Sequence, residues 1–168
     1  MKTVCLHGPE STGKTVLAGK LGYPWVPEYG RAYCEQRGTS LEMVDLLAIA
    51  EGQAAENRKA MVTELPLLVL DTDQLMTAAW AQMLFGEVPE ALMAYPKADL
   101  YLLFAPDVPW FDDGTRFFGE YEKRSRFADL AEEMLTRAGV PYVRICGDWE
   151  QRERLAREAI GELFSFAP

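Results

Sequence analysis

At 168 residues, 49% of them hydrophobic and 26% charged, the chain has the size and mix of one ordinary globular domain, residues 1–168, able to bury a core without disulfides or a metal. A net charge of −9 argues against nucleic acid and anionic membranes as main partners, since clustered Lys and Arg hold both, yet it permits a local basic pocket for a phosphorylated ligand. The dispersed Cys5, Cys34 and Cys146, with no CxxC spacing and a lone His7, exclude a Cys/His metal centre and read as buried free thiols of a cytoplasmic protein; the N-terminal apolar run is too short for a signal peptide, and no run approaches the ~18 residues of a membrane span.

In chain order, Thr3 to His7 is a β-branched-rich run that stops at Gly8. A helix should leave the glycine-rich loop and reach about Leu21. Pro24 to Pro27 is a short strand with Trp25 and Val26 as its apolar part. A long helix is expected from near Thr39, where Thr39 and Glu42 make a capping-box pattern, to about Thr63. Leu65 to Asp71 is nearly all apolar, and a helix follows Asp73 to Phe85-Gly86. Asp99 to Phe104 and Pro141 to Cys146 are the last strands, separated by a helix over about Arg124 to Ala138; the final helix starts after Asp148 and reaches about Phe164. Continuous apolar runs suit strands covered on both faces, and strand–helix alternation with right-handed crossovers predicts a three-layer α/β fold around a five-stranded parallel sheet. Residues from about 105 to 127 break that alternation, mixing aromatics, prolines, glycines and charges without a period, as functional loops and lids do.

Gly8-Pro9-Glu10-Ser11-Thr12-Gly13-Lys14-Thr15 is a full GxxxxGK[ST] phosphate loop between a strand and a helix. Its glycines let successive N–H groups turn inward, and the helix adds its positive end. In this motif the lysine, here Lys14, bridges the β- and γ-phosphates of ATP, and the Thr15 hydroxyl binds Mg²⁺. Carboxylates at other strand ends complete the picture. Asp71 ends a strand and reads either as a second Mg²⁺ group or as a helix-capping residue. Asp73, Thr77 and Trp80 share a helix face that either lines an acceptor pocket or is a dipole-favoured carboxylate above plain core. Glu28, at the tip of the second strand, reads either as the group that takes the proton of an attacking hydroxyl or binds a Mg²⁺ water, or as a solvated loop glutamate; Arg31, three residues on, is placed to hold an anion or Glu28 itself. Arg116 and Arg124 are candidate charge-neutralising groups of a cover that keeps water out.

GPESTGKT at Gly8 to Thr15, EYGR at Glu28 to Arg31, LDTD at Leu70 to Asp73 and the W-x-DDG-x-R run at Trp110 to Arg116 together resemble the P-loop ribosylnicotinamide kinase module of bacterial NAD-salvage regulators. The resemblance spans most of the chain. It implies a nucleoside- and nucleotide-kinase fold, ATP and Mg²⁺, and transfer to the ribose 5′-hydroxyl of nicotinamide riboside. It carries over Lys14, Thr15, Asp71, Glu28, Arg116 and Arg124, and its shared runs put Tyr29, Trp110 and Asp113 on the acceptor side. One departure stands out: the family's Trp directly before the EYGR segment is Pro27 here, with Trp25 two residues earlier. The expected partner is a small nucleoside-type molecule. A homo-oligomer is compatible with the sequence, and so are another nucleoside or nucleotide kinase and a nucleotide-binding regulatory module with little catalysis.

Overall fold

Twelve elements run in the order β1 (Lys2–His7), α1 (Lys14–Leu21), β2 (Trp25–Val26), α2 (Tyr29–Arg37), α3 (Met43–Ala60), β3 (Leu67–Asp71), α4 (Gln74–Phe85), α5 (Glu90–Ala94), β4 (Leu100–Phe104), α6 (Tyr121–Ala138), β5 (Tyr142–Ile145) and α7 (Trp149–Ser165). They belong to a computed structural model that describes residues 1–62, 65–112, 114 and 116–165. The strands form one parallel sheet in the order β2-β3-β1-β4-β5, with Leu6 opposite Asp71 on one side and Leu102 on the other.

The central strands are apolar through their middles, as strands of a parallel sheet covered on both faces are, leaving no face for water. Every residue of β3 and β4 is buried. Side-chain alternation then divides the core in two. Cys5, Leu68, Leu70, Tyr101 and Leu103 face α3, α4 and α6, where Leu46, Leu75, Phe127 and Met134 pack. Val4, Leu6, Val69, Leu102 and Phe104 face α1 and α7, where Leu17, Ala156 and Ile160 pack. Each such large side chain contributes roughly 1.5–3 kcal/mol by leaving water.

The strands and the flanking helices lie largely where the sequence puts them, with local departures, among them a short helix α5 at Glu90–Ala94 where none is expected. A nine-residue helix, α2, occupies Tyr29–Arg37, where only Cys34 is buried and no apolar periodicity announces it. The capping box of α3 is made by Glu42 and Asp45, not by Thr39 and Glu42, because Asp45 carries the side chain that returns to the Glu42 N–H at 2.8 Å. The expected end of that helix at Thr63 lies outside the described residues; the helix runs to Ala60 with Met61 as its C-cap. Finally, α6 begins three residues before Arg124, and Cys146, just past β5, is exposed while Cys5 and Cys34 are buried thiols.

Crossing from β1 past β3 to β2 leaves a crevice at the carboxyl ends of the strands, which is where open α/β sheets bind ligands. Among the described residues, no helix is long and apolar enough to cross a membrane.

Candidate functional site

The phosphate loop folds as its glycines allow. Gly8 and Gly13 have φ of 125° and 85°, and Ser11 between them is left-handed at 57°. A side chain at Gly8 would come within 2.6 Å of the Phe104 carbonyl oxygen, so the loop leaves the sheet through a space only glycine fits. The Thr12 hydroxyl donates to the Pro9 carbonyl at 2.8 Å and closes the turn. The Lys14 ammonium, 9% exposed, donates to the Gly8 and Pro9 carbonyls at 2.9 and 2.6 Å. Burial lowers its pKa against the pull of Glu28, Asp71 and Glu10, which raise it. The site walls therefore concentrate three acidic side chains around one buried ammonium.

Thr15 and Asp71 meet across the crevice. The Thr15 hydroxyl donates to Asp71 Oδ2 at 2.6 Å, while Oδ1 is buried with no hydrogen-bond partner. Burial raises the Asp71 pKa, with the Thr15 bond and Lys14 opposing. A buried carboxylate oxygen without a partner costs free energy. This hydroxyl–carboxylate pair fits a hard, oxygen-seeking cation. Among the described residues no group of three His, Cys, Asp or Glu is arranged to hold a metal; a cation held by Thr15 and Asp71 would draw its other ligands from phosphate and water, as Mg²⁺ commonly does.

A pocket of about 610 Å³, counting its open mouth, adjoins the loop between α2, α3 and α4, bordered by Glu28, Arg31, Asp73, Thr77, Trp80 and Phe117. Glu10, Glu28 and Arg31 line this pocket and the space around the phosphate loop alike, so one opens into the other. Glu10 Oε2 accepts the Phe117 N–H at 2.7 Å; burial, with Glu28 nearby, pushes its carboxyl up to about 8. Asp73 serves as N-cap of α4, accepting the Leu75 N–H at 2.9 Å, and also accepts the buried Tyr101 hydroxyl, so it both borders the pocket and braces it. Among the described residues the non-glycine residues of positive φ are Ser11, Thr72 and Phe118, all bordering this region, as strained backbone at functional sites tends to do.

The structure brings together Glu10, Lys14, Thr15, Glu28, Arg31, Asp71, Asp73 and Trp80, and it places the other expected residues elsewhere or in other company. Tyr29 packs over Gly52 of α3, outside the pocket lining, and its N–H donates to Gln53 Oε1 at 2.8 Å. Trp110 lies under the Arg124 guanidinium, 5.6 Å from it, away from the pocket. Arg116 reaches the Ser11 hydroxyl at 3.2 Å and borders the phosphate loop. Arg124, 6% exposed, donates to the Val108 and Ser11 carbonyls at 2.7 and 3.0 Å, gripping the loop's backbone instead of facing the space above it. Asp113 lies outside the described residues. Trp25 packs with the α1–α7 face of the core, so the aromatic faces near the acceptor pocket are Trp80 and Phe117, 4.7 Å apart and edge-on, with Phe118 stacked beside them.

Two residues escaped the sequence reading. Trp149, half exposed at the head of α7, lies so close to the loop that a methyl at Gly13 would sit 2.5 Å from its ring. Arg152, 2% exposed, borders the same cleft with Val16 and Phe104. Both lie at the start of a charged amphipathic helix, where nothing in composition sets them apart.

An AAA domain family model matches residues 3–152. The trifunctional NAD biosynthesis/regulator protein NadR of Escherichia coli (strain K12) is 32% identical over 96% of this chain; the chain spans 43% of that relative's length. A crystal structure of NadR protein in complex with NR superposes with a TM-score of 0.83 at 24% identity, over 99% of this chain and 52% of the other. Deoxyadenosine kinase from M. mycoides superposes with a TM-score of 0.65 at 14% identity, over 95% of this chain and 99% of the other. The fold is thus that of the P-loop nucleoside kinases, and a P-loop fold of this kind binds nucleotide.

Proposed function

We propose, from the premise that this chain belongs to the AAA domain family, that it is an ATP-dependent kinase whose acceptor is nicotinamide riboside, phosphorylated on the 5′-hydroxyl to give nicotinamide mononucleotide. The observation that carries the reading is the junction at Glu10, Glu28 and Arg31, where the phosphate loop opens into a second pocket walled by Asp73, Thr77, Trp80 and Phe117. A regulatory nucleotide sensor has no need of that second chamber.

In this reading the ATP phosphates draw Lys14 off the Gly8 and Pro9 carbonyls. Arg116 and Arg31 neutralise charge on the phosphoryl group in flight, and Glu28 accepts the proton of the attacking hydroxyl. Trp80 and Phe117 supply an aromatic wall for the base. Thr15 and Asp71 would hold Mg²⁺, which would supply further charge neutralisation at the phosphates. Arg116 and Phe117 border the phosphate loop and the adjoining pocket and would keep out water that would hydrolyse ATP. Cytoplasmic ATP is the donor. Only the kinase step is proposed, because the chain spans less than half of its curated relatives. A different nucleoside acceptor is the second reading; it is favoured by Trp25, which faces away from the pocket, and by Pro27 beside Glu28.

The test is ADP release from Mg·ATP across a panel of nicotinamide riboside, adenosine, deoxyadenosine and thymidine. Fastest release with nicotinamide riboside is expected. Release only with another nucleoside moves the assignment to the second reading, and tight ATP binding with no acceptor-dependent release overturns the kinase.

A further inference from the structure

Arg152 is among the largest side chains the fold buries completely, and its contacts are spread over three segments that the chain brings together only here. Its Nε donates to the Gly147 carbonyl at 2.8 Å, at the turn into α7. Nη1 donates to the Thr12 carbonyl of the phosphate loop at 3.2 Å. Nη2 donates to the Ala105 carbonyl at 3.0 Å and pairs with the Asp107 carboxylate, both at the root of the 105–127 segment. Asp107 in turn accepts the Gly147 N–H at 2.7 Å, closing the ring. The guanidinium also lies 5.8 Å from the Trp149 ring, the wall that rests on Gly13.

A backbone accounting shows what this does for the loop. The Gly8 and Pro9 carbonyls receive the Lys14 ammonium, Pro9 also the Thr12 hydroxyl, Ser11 receives Arg124, and Thr12 receives Arg152. With those carbonyls engaged, the peptide planes are fixed, and the loop's N–H groups are what remains to face an anion. Lys14 has to leave its carbonyls when phosphate binds. The two arginines are held from outside the loop and have no such task.

We propose that Arg152 is a positioning residue for the nucleotide: by fixing the Thr12 peptide and the Trp149 ring from behind, it presets the phosphate loop and the cleft beside it, so its loss weakens nucleotide binding and spares the acceptor pocket. The inference rests on the loop binding ATP, not on which acceptor is phosphorylated. A planar fork is needed, because one group must reach carbonyls of three segments at once; an ammonium of the same charge presents a single point.

The experiment is calorimetric titration of the full chain with Mg·ATP, for wild type, Arg152→Lys and Asp107→Asn, with circular dichroism of each and the Michaelis constant of the best acceptor. Folded Arg152→Lys should bind ATP at least about tenfold more weakly, with the acceptor constant within about twofold. Asp107→Asn, which leaves Arg152 in place without its outer anchor, should weaken ATP severalfold, and it decides the matter if Arg152→Lys does not fold. Unchanged ATP affinity in folded variants, or equal losses at both substrates, overturns the proposal. A wild-type chain that binds no ATP overturns the kinase reading instead.

Discussion

Replacing Glu10 by Gln asks whether the phosphate loop carries a neutral carboxyl. Glu10 lies among Glu28, Lys14 and Arg116; burial, reinforced by Glu28, lifts it to about 8, against an ordinary 4.5, while the Phe117 N–H, Lys14 and Arg116 pull it down. Between these values the folded chain keeps a proton that the unfolded chain has released. The stability that goes with that proton is therefore full below about pH 4.5 and is lost as the pH rises to about 8. At about 1.4 kcal/mol per pH unit, the interval sets a ceiling of about 5 kcal/mol. For a domain of this size, that is a fall in melting temperature of roughly 10 °C or more. Glu10→Gln is neutral throughout and still accepts from Phe117. Thermal melts of both proteins without nucleotide, from pH 5 to 9, should start nearly level and diverge, the variant being the more stable at alkaline pH. A gap that stays constant across the range would refute the reasoning.

Lys14→Ala should cut ATP-dependent turnover by at least about 100-fold, the loss typical of a single transition-state donor, while the circular dichroism spectrum is kept. Asp71→Asn should lose turnover by a similar factor, yet melt no lower than wild type without nucleotide, because a buried carboxylate with an orphaned Oδ1 is replaced by a neutral group; retained turnover would remove Asp71 from the site. Gly13→Ala forces a side chain into φ 85° and against the Trp149 ring at 2.5 Å, so about 1–2 kcal/mol of stability should go along with ATP affinity, read by urea melts and calorimetry.

The strands were legible because burial on both faces writes itself as unbroken runs such as Leu67–Asp71 and Leu100–Phe104. The phosphate loop was legible because its glycines have no substitutes. Glu28, Asp71 and Asp73 were found because strand ends deliver residues to one edge of a parallel sheet. What hid was held by tertiary contacts. Helix α2 presents almost no apolar face, and Asp45 rather than Glu42 closes the box before α3. Arg152 stands in a run of alternating charges, and only the assembled fold shows that it is buried while Arg154 and Arg157 are not. The 105–127 run was read as a cover whose Arg116 and Arg124 neutralise phosphoryl charge, whereas Arg124 points back into the loop's backbone.

Helix α2 carries Arg31 and Cys34 to the pocket and begins at Glu28, yet it is tied down mainly by Tyr29 to Gln53 and by Tyr33 to Asp45, both on α3. Only Cys34 of this helix is buried. Apart from Arg31 and the two tyrosines that tie it to α3, its positions can therefore be rewritten with small penalty, while the sheet and the phosphate end stay as they are. Such a scaffold would change its choice of acceptor sooner than its choice of donor.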